Sequence, residues 1–352
     1  MSKCIFILAL IGTSCSSKFL KYEKAEQLAK NSEFENKVKI IETPEVASTT
    51  PSSDVSTASK STQASIPITT TTTTTTTIKK TTKRSNTKKA AAAELAAAIP
   101  TERQPTLEDN EGFSNVRRPL ADPFRVGERV VHSVSYFTAH AGTLTFSVKP
   151  YVQVNGRRSY NFVTDIQSSQ LFSSFYSAED RVETYVDYED LVPHVFKLKI
   201  KESGQLKEAQ SYFDQQTLKA NYWENKYTEK DGHEEKKQAW DLLPYSQNAF
   251  SSIYYMRIFK WQIGKEYAFR VSDDGKNVIF KGKALERITL DTKAGQFKAI
   301  KIRAEIVSRG ALSQTGDLLL WISDDEHRYI LRIEAKIKIG TLVSEVTSIH
   351  PG

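Results

Sequence analysis

The sequence predicts an all-β, mainly antiparallel fold: a large curved sheet or open β-barrel with one long helix packed on or in it, after a long disordered N-terminal linker. Three observations carry this expectation. A dozen short runs beyond residue 122 alternate apolar and polar residues, tight-turn signals separate several of them, and only Ser246–Lys260 repeats at helical spacing.

The elements follow in order. VVHSVSYF, GTLTFSVKPYVQV, RRSYNFVTDI and DRVETYVDY alternate over lengths suited to strands. Asn155-Gly156 between two of them is the strongest hairpin signal in the chain, because both central residues of that turn need positive φ. The pattern continues through HVFKLKI, EAQSYFD, TLKANYWEN and KEYAFRVS, and SDDGK at 272–276 reads as another tight turn. KNVIFKGKALERITL, FKAIKIRAEIV, DLLLWIS, YILRIEAKIK and TLVSEVTSI complete the series. In SQNAFSSIYYMRIFK, Phe250, Ile253, Tyr254, Arg257 and Ile258 recur at spacings of three and four. Ser246, after Pro244, is the expected N-cap. A flat sheet of this size would leave faces and edges uncovered, so the sheet is expected to curl. The Phe250/Ile253/Tyr254 stripe should then pack on its concave face, with Arg257 at the edge of the contact.

The 352 residues include two cysteines, Cys4 and Cys15, so no disulfide framework exists beyond residue 15. Lys79, Lys80, Lys83, Arg84, Lys88 and Lys89 carry nearly all of the net charge of +7. The basicity belongs to a linker and not to a domain face, and no nucleic-acid partner is expected. Lys3 and the apolar run Cys4–Ile11 suit a secretory signal and are too short to span a bilayer. Gly12, Thr13 and Ser14 put small residues before Cys15, as in bacterial lipoprotein signals, although Gly12 stands where Leu is usual. Cys15 is therefore the expected lipidation site, carrying diacylglycerol and then palmitate, and Ser16 in place of Asp directs the chain to the outer membrane. The alternative is an ordinary secretory signal cut nearby, with Cys15 incidental.

The expected organisation is a signal peptide over 1–14, a lipid-anchored segment over 15–41, a disordered linker over 42–118 and an antiparallel β domain over 119–352. Leu20, Ala25, Leu28 and Ala29 suggest a short helix in the second part. The linker holds nine consecutive threonines, Thr69–Thr77, and the basic run, a composition that cannot bury enough apolar surface to fold. A tether of that length spans about 50 Å. Read this way, it holds the domain well away from the membrane.

Gly127-Glu128, HAGTLTFSV, PYSQNAFSSIYYMR, TKAGQFKAIKI and WISDDEHRYILRIEAKIKIG follow one another in an order seen in exported proteins of Gram-negative bacteria. On these motifs the chain resembles the family catalogued as domain of unknown function 3108, over about residues 127–346. Asn248 departs from the pattern, which usually has Asp there. The resemblance implies an antiparallel β-fold of curved-sheet or open-barrel kind, and no reaction.

Nucleotide-binding loops, the metalloprotease helix and the Gly-x-Ser-x-Gly elbow are missing from the sequence. His132, His140, His194, His233, His327 and His350 are scattered, and Asp273-Asp274 and Asp324-Asp325 read as turn formers. No metal, no cofactor and no catalysis are expected. Arg257 is charged on an apolar helix face: it is either a structural ion pair or a fixed positive charge aimed at an anionic headgroup or sugar acid. Tyr254, Tyr255 and Trp321 are candidate ligand contacts or core. The leading expectation is a non-enzymatic outer-membrane lipoprotein, facing the periplasm, whose concave β-surface binds an amphiphile, a lipid or lipid-linked glycan. A scaffold for an envelope protein complex is the alternative, and an unrecognised hydrolase a third.

Overall fold

Consecutive hairpins build nearly all of the structure, a computed structural model that describes residues 31–42, 122–137, 139–174, 176–308, 311–312, 318–337 and 340–352. The expected signal peptide, Cys15, the Leu20–Ala29 helix and the Thr-rich and basic stretch lie outside the described residues.

The strands are β1 (Ile40–Glu42), β2 (Arg129–Tyr136), β3 (Ala139–Val154), β4 (Arg157–Ser168), β5 (Glu179–Asp187), β6 (Pro193–Glu202), β7 (Gln205–Asp214) and β8 (Lys219–Thr228). They continue with β9 (Gly232–Asp241), β10 (Glu266–Asp273), β11 (Lys276–Thr292), β12 (Gly295–Ser308), β13 (Ala311–Leu312), β14 (Leu318–Ser323), β15 (Ile330–Ile337) and β16 (Gly340–His350). They form one sheet in the order β10-β11-β12-β14-β15-β16-β2-β3-β4-β5-β6-β7-β8-β9, with β1 beside β3 and β13 beside β12. The C-terminal β16 pairs with β2, so the sheet grows outward in both directions from that antiparallel junction. Asn155 (φ 50°) and Gly156 (φ 82°) make the predicted β3–β4 turn, and Asp274 (φ 44°) and Gly275 (φ 74°) the β10–β11 turn.

The two edge strands face each other, yet no backbone ladder joins β9 to β10 among the described residues. Side chains hold the seam instead. Trp240 Nε1 donates to Ser272 Oγ at 2.8 Å, Asn277 Nδ2 to the Asp241 carbonyl at 2.8 Å, and Lys236 pairs with Asp274 at 2.8 Å. The sheet is thus the predicted open barrel. Glu234, Glu235, Lys236 and Lys237 on β9 keep its edge charged, which opposes pairing with other chains.

The helix is shorter than its period predicts. Ser251–Tyr255 is α-helical, and Met256–Ile258 adds one 3-10 turn. The cause lies in Gln247, whose N–H donates to the Arg270 carbonyl and whose carbonyl accepts from Ser272 N–H on β10. That pairing holds residues 246–247 extended, and Asn248 takes the capping role expected of Ser246. Its Oδ1 accepts from Phe250 N at 2.9 Å and Ser251 N at 2.7 Å, while its Nδ2 donates to Thr184 Oγ1 at 2.8 Å. The predicted stripe divides between two clusters. Tyr254 and Ile253 enter the main core, where Tyr254 stacks on Phe162 at 3.9 Å, and Phe250 stacks on Phe196 in a second cluster.

Residues 31–42, assigned from sequence to the lipid-anchored segment (31–41) and the first position of the linker (42), pack on and pair with the β-sheet. Asn31 Oδ1 caps the helix Ser32–Lys37 through Glu33 N and Phe34 N. Phe34 and Val38 are buried among Val152, Val154, Tyr185, Val195 and Trp223. Ile40 pairs with Val154 and Glu42 with Val152, extending the sheet alongside β3. Three strand residues are too few to show a period, which is why the sequence does not announce them.

Candidate functional site

The residues singled out from sequence converge on the core. Arg257 and Glu128 are both buried, at 3% and 1% exposure. Arg257 Nη1 donates to Glu128 Oε1 at 2.6 Å and Nη2 to Glu128 Oε2 at 2.9 Å, a bidentate pair. Nη2 also donates to the Pro123 and His327 carbonyls at 3.0 and 2.8 Å. Three motif segments, Gly127-Glu128, the Ser-x-x-Tyr-Tyr-x-Arg helix and the Trp-x-Ser-Asp-Asp strand end with His327, therefore meet at one guanidinium.

Tyr254 is buried with its hydroxyl donating to the Ser147 carbonyl at 3.2 Å, and burial pushes its ionisation far up. Tyr255 packs edge-on against Phe259 and Phe269, and Trp321 is buried beneath the cations of Lys301 and Arg332. The space beside Tyr254 and Arg257, walled by Val130, Phe146, Ile253 and Ile330, is about 10 Å³, room for one water at most. The helix is a plug and not a lid, and the concave face beneath it is filled. Cys15, the fifth residue singled out, lies outside the described residues.

A different place is open. The β3–β4, β5–β6 and β7–β8 turns and Pro244-Tyr245 surround a cleft of about 610 Å³, within the range of small-ligand sites. Behind the lining residues Arg157, Asp190 and His194 lies Asp187, which is 1% exposed and bonded to all three. Arg157 donates to it through Nε at 2.6 Å and Nη2 at 2.9 Å, and Glu189 N and Asp190 N bond the same carboxylate. His194 Nε2 lies 3.1 Å from Asp187 Oδ2. Burial works against the Asp187 charge, but the bonds from His194 and Arg157 outweigh it and hold its carboxyl far below the usual carboxylate range. Asp214 bends the β7–β8 turn by accepting from Gln216 N at 2.9 Å and Thr217 N at 3.0 Å. Burial opposes its charge too, and those two backbone bonds prevail.

Two bulky residues that line the cleft adopt left-handed backbone, Leu218 (φ 52°) and Tyr245 (φ 59°), and so does Leu191 (φ 51°), which is buried in the core between the lining residues Asp190 and Val192. Each costs about 1–3 kcal/mol and persists only where its surroundings hold it. Gln247 Nε2 bonds the Leu191 carbonyl at 2.8 Å, Leu242 N bonds that of Leu218 at 2.8 Å, and Arg270 Nη1 bonds that of Pro244 at 3.2 Å. Arg157 pairs with two carboxylates, Asp187 and Asp190, and Lys37 lies close to a third, Asp214. The cleft is acidic and rich in hydrogen-bond acceptors, with Tyr212 and Tyr245 as aromatic walls. It suits a neutral or cationic ligand and disfavours an anionic one. Among the described residues no group of His, Cys, Asp and Glu is arranged to hold a metal.

The family described as protein of unknown function, DUF3108, matches residues 131–347, more than half of the chain. The chain belongs to that family. No curated protein sequence matches it. Among solved structures, a β-barrel-like protein of the DUF1849 family from Brucella abortus aligns with a TM-score of 0.42 and 8% identity, covering 65% of this chain and 99% of that one. A candidate exported protein with a YmcC-like fold from Bacteroides fragilis aligns at 0.28 and 11%, covering 65% and 98%. A candidate lipoprotein from Parabacteroides distasonis aligns at 0.28 and 8%, covering 65% and 97%.

The DUF3108 match begins after the N-terminal helix and β1 and covers every residue that lines the cleft. Sequence reasoning missed the cleft altogether. Its residues come from four separate turns, and nothing in Asp-Leu, Thr-Leu or Pro-Tyr announces left-handed backbone in a residue other than glycine.

Proposed function

We propose that this protein is a non-enzymatic binding module of the Gram-negative envelope, anchored in the outer membrane through lipid on Cys15, with its cleft as the ligand site. The observation that carries the binding role is the cleft wall, where the strained Leu218 and Tyr245 are held in place beside polar lining groups, with the strained Leu191 buried behind them. Strain of this kind concentrates at ligand clamps. The acidic lining favours a neutral glycan chain or a cationic ligand over an anionic lipid headgroup. Lipid or lipid-linked glycan on the concave sheet face gives way to this site because the plug helix fills that face. The small residues before Cys15 support the anchor. Scaffolding by strand addition is opposed by the charges on β9.

The test is a thermal-shift and ligand-observed NMR titration of residues 30–352 with neutral oligosaccharides, spermidine and a sugar-acid oligomer. Saturable binding of a neutral or cationic probe supports the proposal. Binding of the anionic probe alone, or of none, refutes it.

A further inference from the structure

The chain joins this sheet twice. Residues 31–42 dock first, through the buried Phe34 and Val38 and the β1–β3 pairing. Asn155 clamps them: its Oδ1 accepts from Lys39 N at 2.8 Å, its Nδ2 donates to the Lys37 carbonyl at 3.1 Å, and its own N–H donates to the Lys39 carbonyl. Glu33 adds bonds from Trp223 Nε1 and Lys237 Nζ on the far side of the helix. The chain returns at Asp122, whose carboxylate accepts from the Tyr160 hydroxyl. Glu42 lies opposite Val152, and Val152 lies opposite Ser159, the neighbour of Tyr160. Exit and re-entry are thus two strand spacings and one tyrosine side chain apart, on the order of 15–20 Å.

We infer that residues 31–42 are a clasp that holds the body directly behind its membrane anchor, so that residues 43–121 leave from and return to one patch of the body instead of separating it from the membrane. The membrane part of this inference rests on lipidation of Cys15; the clasp does not. Only residues 16–30 then lie between lipid and body, with a reach of at most about 50 Å and a typical span of about 20 Å. With the clasp open, the connection would run from 16 to 121 and span about 55 Å. The partner fitted by this arrangement is the bilayer surface itself, with the cleft beside the clasp kept near the headgroups.

The experiment uses the full chain, purified from membranes and reconstituted in phosphatidylcholine vesicles with an acceptor dye on the headgroups. A donor dye sits at Glu189→Cys, an exposed site on the β5–β6 turn. Three forms are compared: the parent, a clasp-broken Phe34→Asp/Ile40→Pro form, and a form with residues 45–119 replaced by a short Gly/Ser bridge. High energy transfer is expected in the parent and unchanged in the bridged form, with a loss of at least about twofold in the clasp-broken form. Parent transfer as low as in the clasp-broken form, or a rise on bridging, overturns the inference. Failure of every form to sediment with vesicles would instead refute the lipid anchor. In that event, and if the clasp-broken form does not fold, hydrogen exchange at Val38 and Lys39 in the parent decides the clasp: protection upholds it, and exchange at the rate of an open chain overturns it.

Discussion

Replacing Arg257 by Met removes one half of a buried ion pair and leaves the other in place. Glu128 is 1% exposed and would keep a carboxylate with no cation against it, while the Pro123 and His327 carbonyls lose a shared donor. Breaking a buried pair from one side costs about 3–5 kcal/mol, because the desolvation of the remaining charge is no longer offset. At roughly 2–4 °C per kcal/mol for a domain of this size, the melting temperature should fall by about 6–20 °C. Methionine keeps most of the arginine stem's volume, so the loss reports the charge and its bonds. The assay is thermal and urea unfolding of Arg257→Met, Glu128→Leu and the double variant at pH 7. The double variant should recover a large part of the loss, since it buries no lone charge. A loss below about 1 kcal/mol in Arg257→Met would refute the reasoning, because it is the figure for an exposed pair. Additive losses in the double variant would show that the two side chains do not act on each other.

Three further outcomes are expected. His132 is buried with Nε2–H donating to the Ile330 carbonyl at 2.9 Å and Nδ1 accepting from Ser344 at 3.0 Å, and burial pushes its pKa down to about 4 from an ordinary 6.5. The unfolded chain takes up this proton first as pH falls, so stability is full above pH 6.5 and should drop by about 3 kcal/mol toward pH 4. His132→Leu should flatten that slope in urea titrations. Asn248→Ala should cost about 1–2 kcal/mol by uncapping the plug helix and leaving Thr184 Oγ1 without its donor, read from the unfolding midpoint. Phe34→Ala should cost about 3–5 kcal/mol, and a fragment beginning at residue 119 should melt earlier than one beginning at 30, because the buried Phe34 completes its cluster.

Much of the fold was legible because its cause is local. Alternation fixes which strand face is buried, and the Asn155-Gly156 and Asp274-Gly275 turns need backbone that few other residue pairs adopt. The helix boundary was not legible, because its start is set by a backbone bridge from Gln247 to β10 and not by the capping preference of Ser246. Arg257 stood out as a charge on an apolar face, but its partner lies 129 residues away at the opening of β2, a pairing that no spacing encodes. The clasp escaped for a related reason: Phe34, Val38 and Ile40 are too few to show a period, and Val152 and Trp223 complete their cluster from strands distant in sequence. The cleft escaped because turns do not advertise what they enclose, and Leu191, Leu218 and Tyr245 take conformations that their own side chains disfavour.

The central claim is that the cleft binds ligand and that its strained wall exists for that purpose. Tyr245→Asn tests it directly, because asparagine tolerates left-handed backbone while removing the aromatic wall. The measurement is a titration of parent and Tyr245→Asn proteins with the same neutral oligosaccharide and spermidine probes, alongside their melting curves. The account predicts a melting temperature within a few degrees of the parent's and a loss of binding by tenfold or more, equivalent to about 1.4 kcal/mol. Binding of equal strength in both proteins, or in neither, would contradict it.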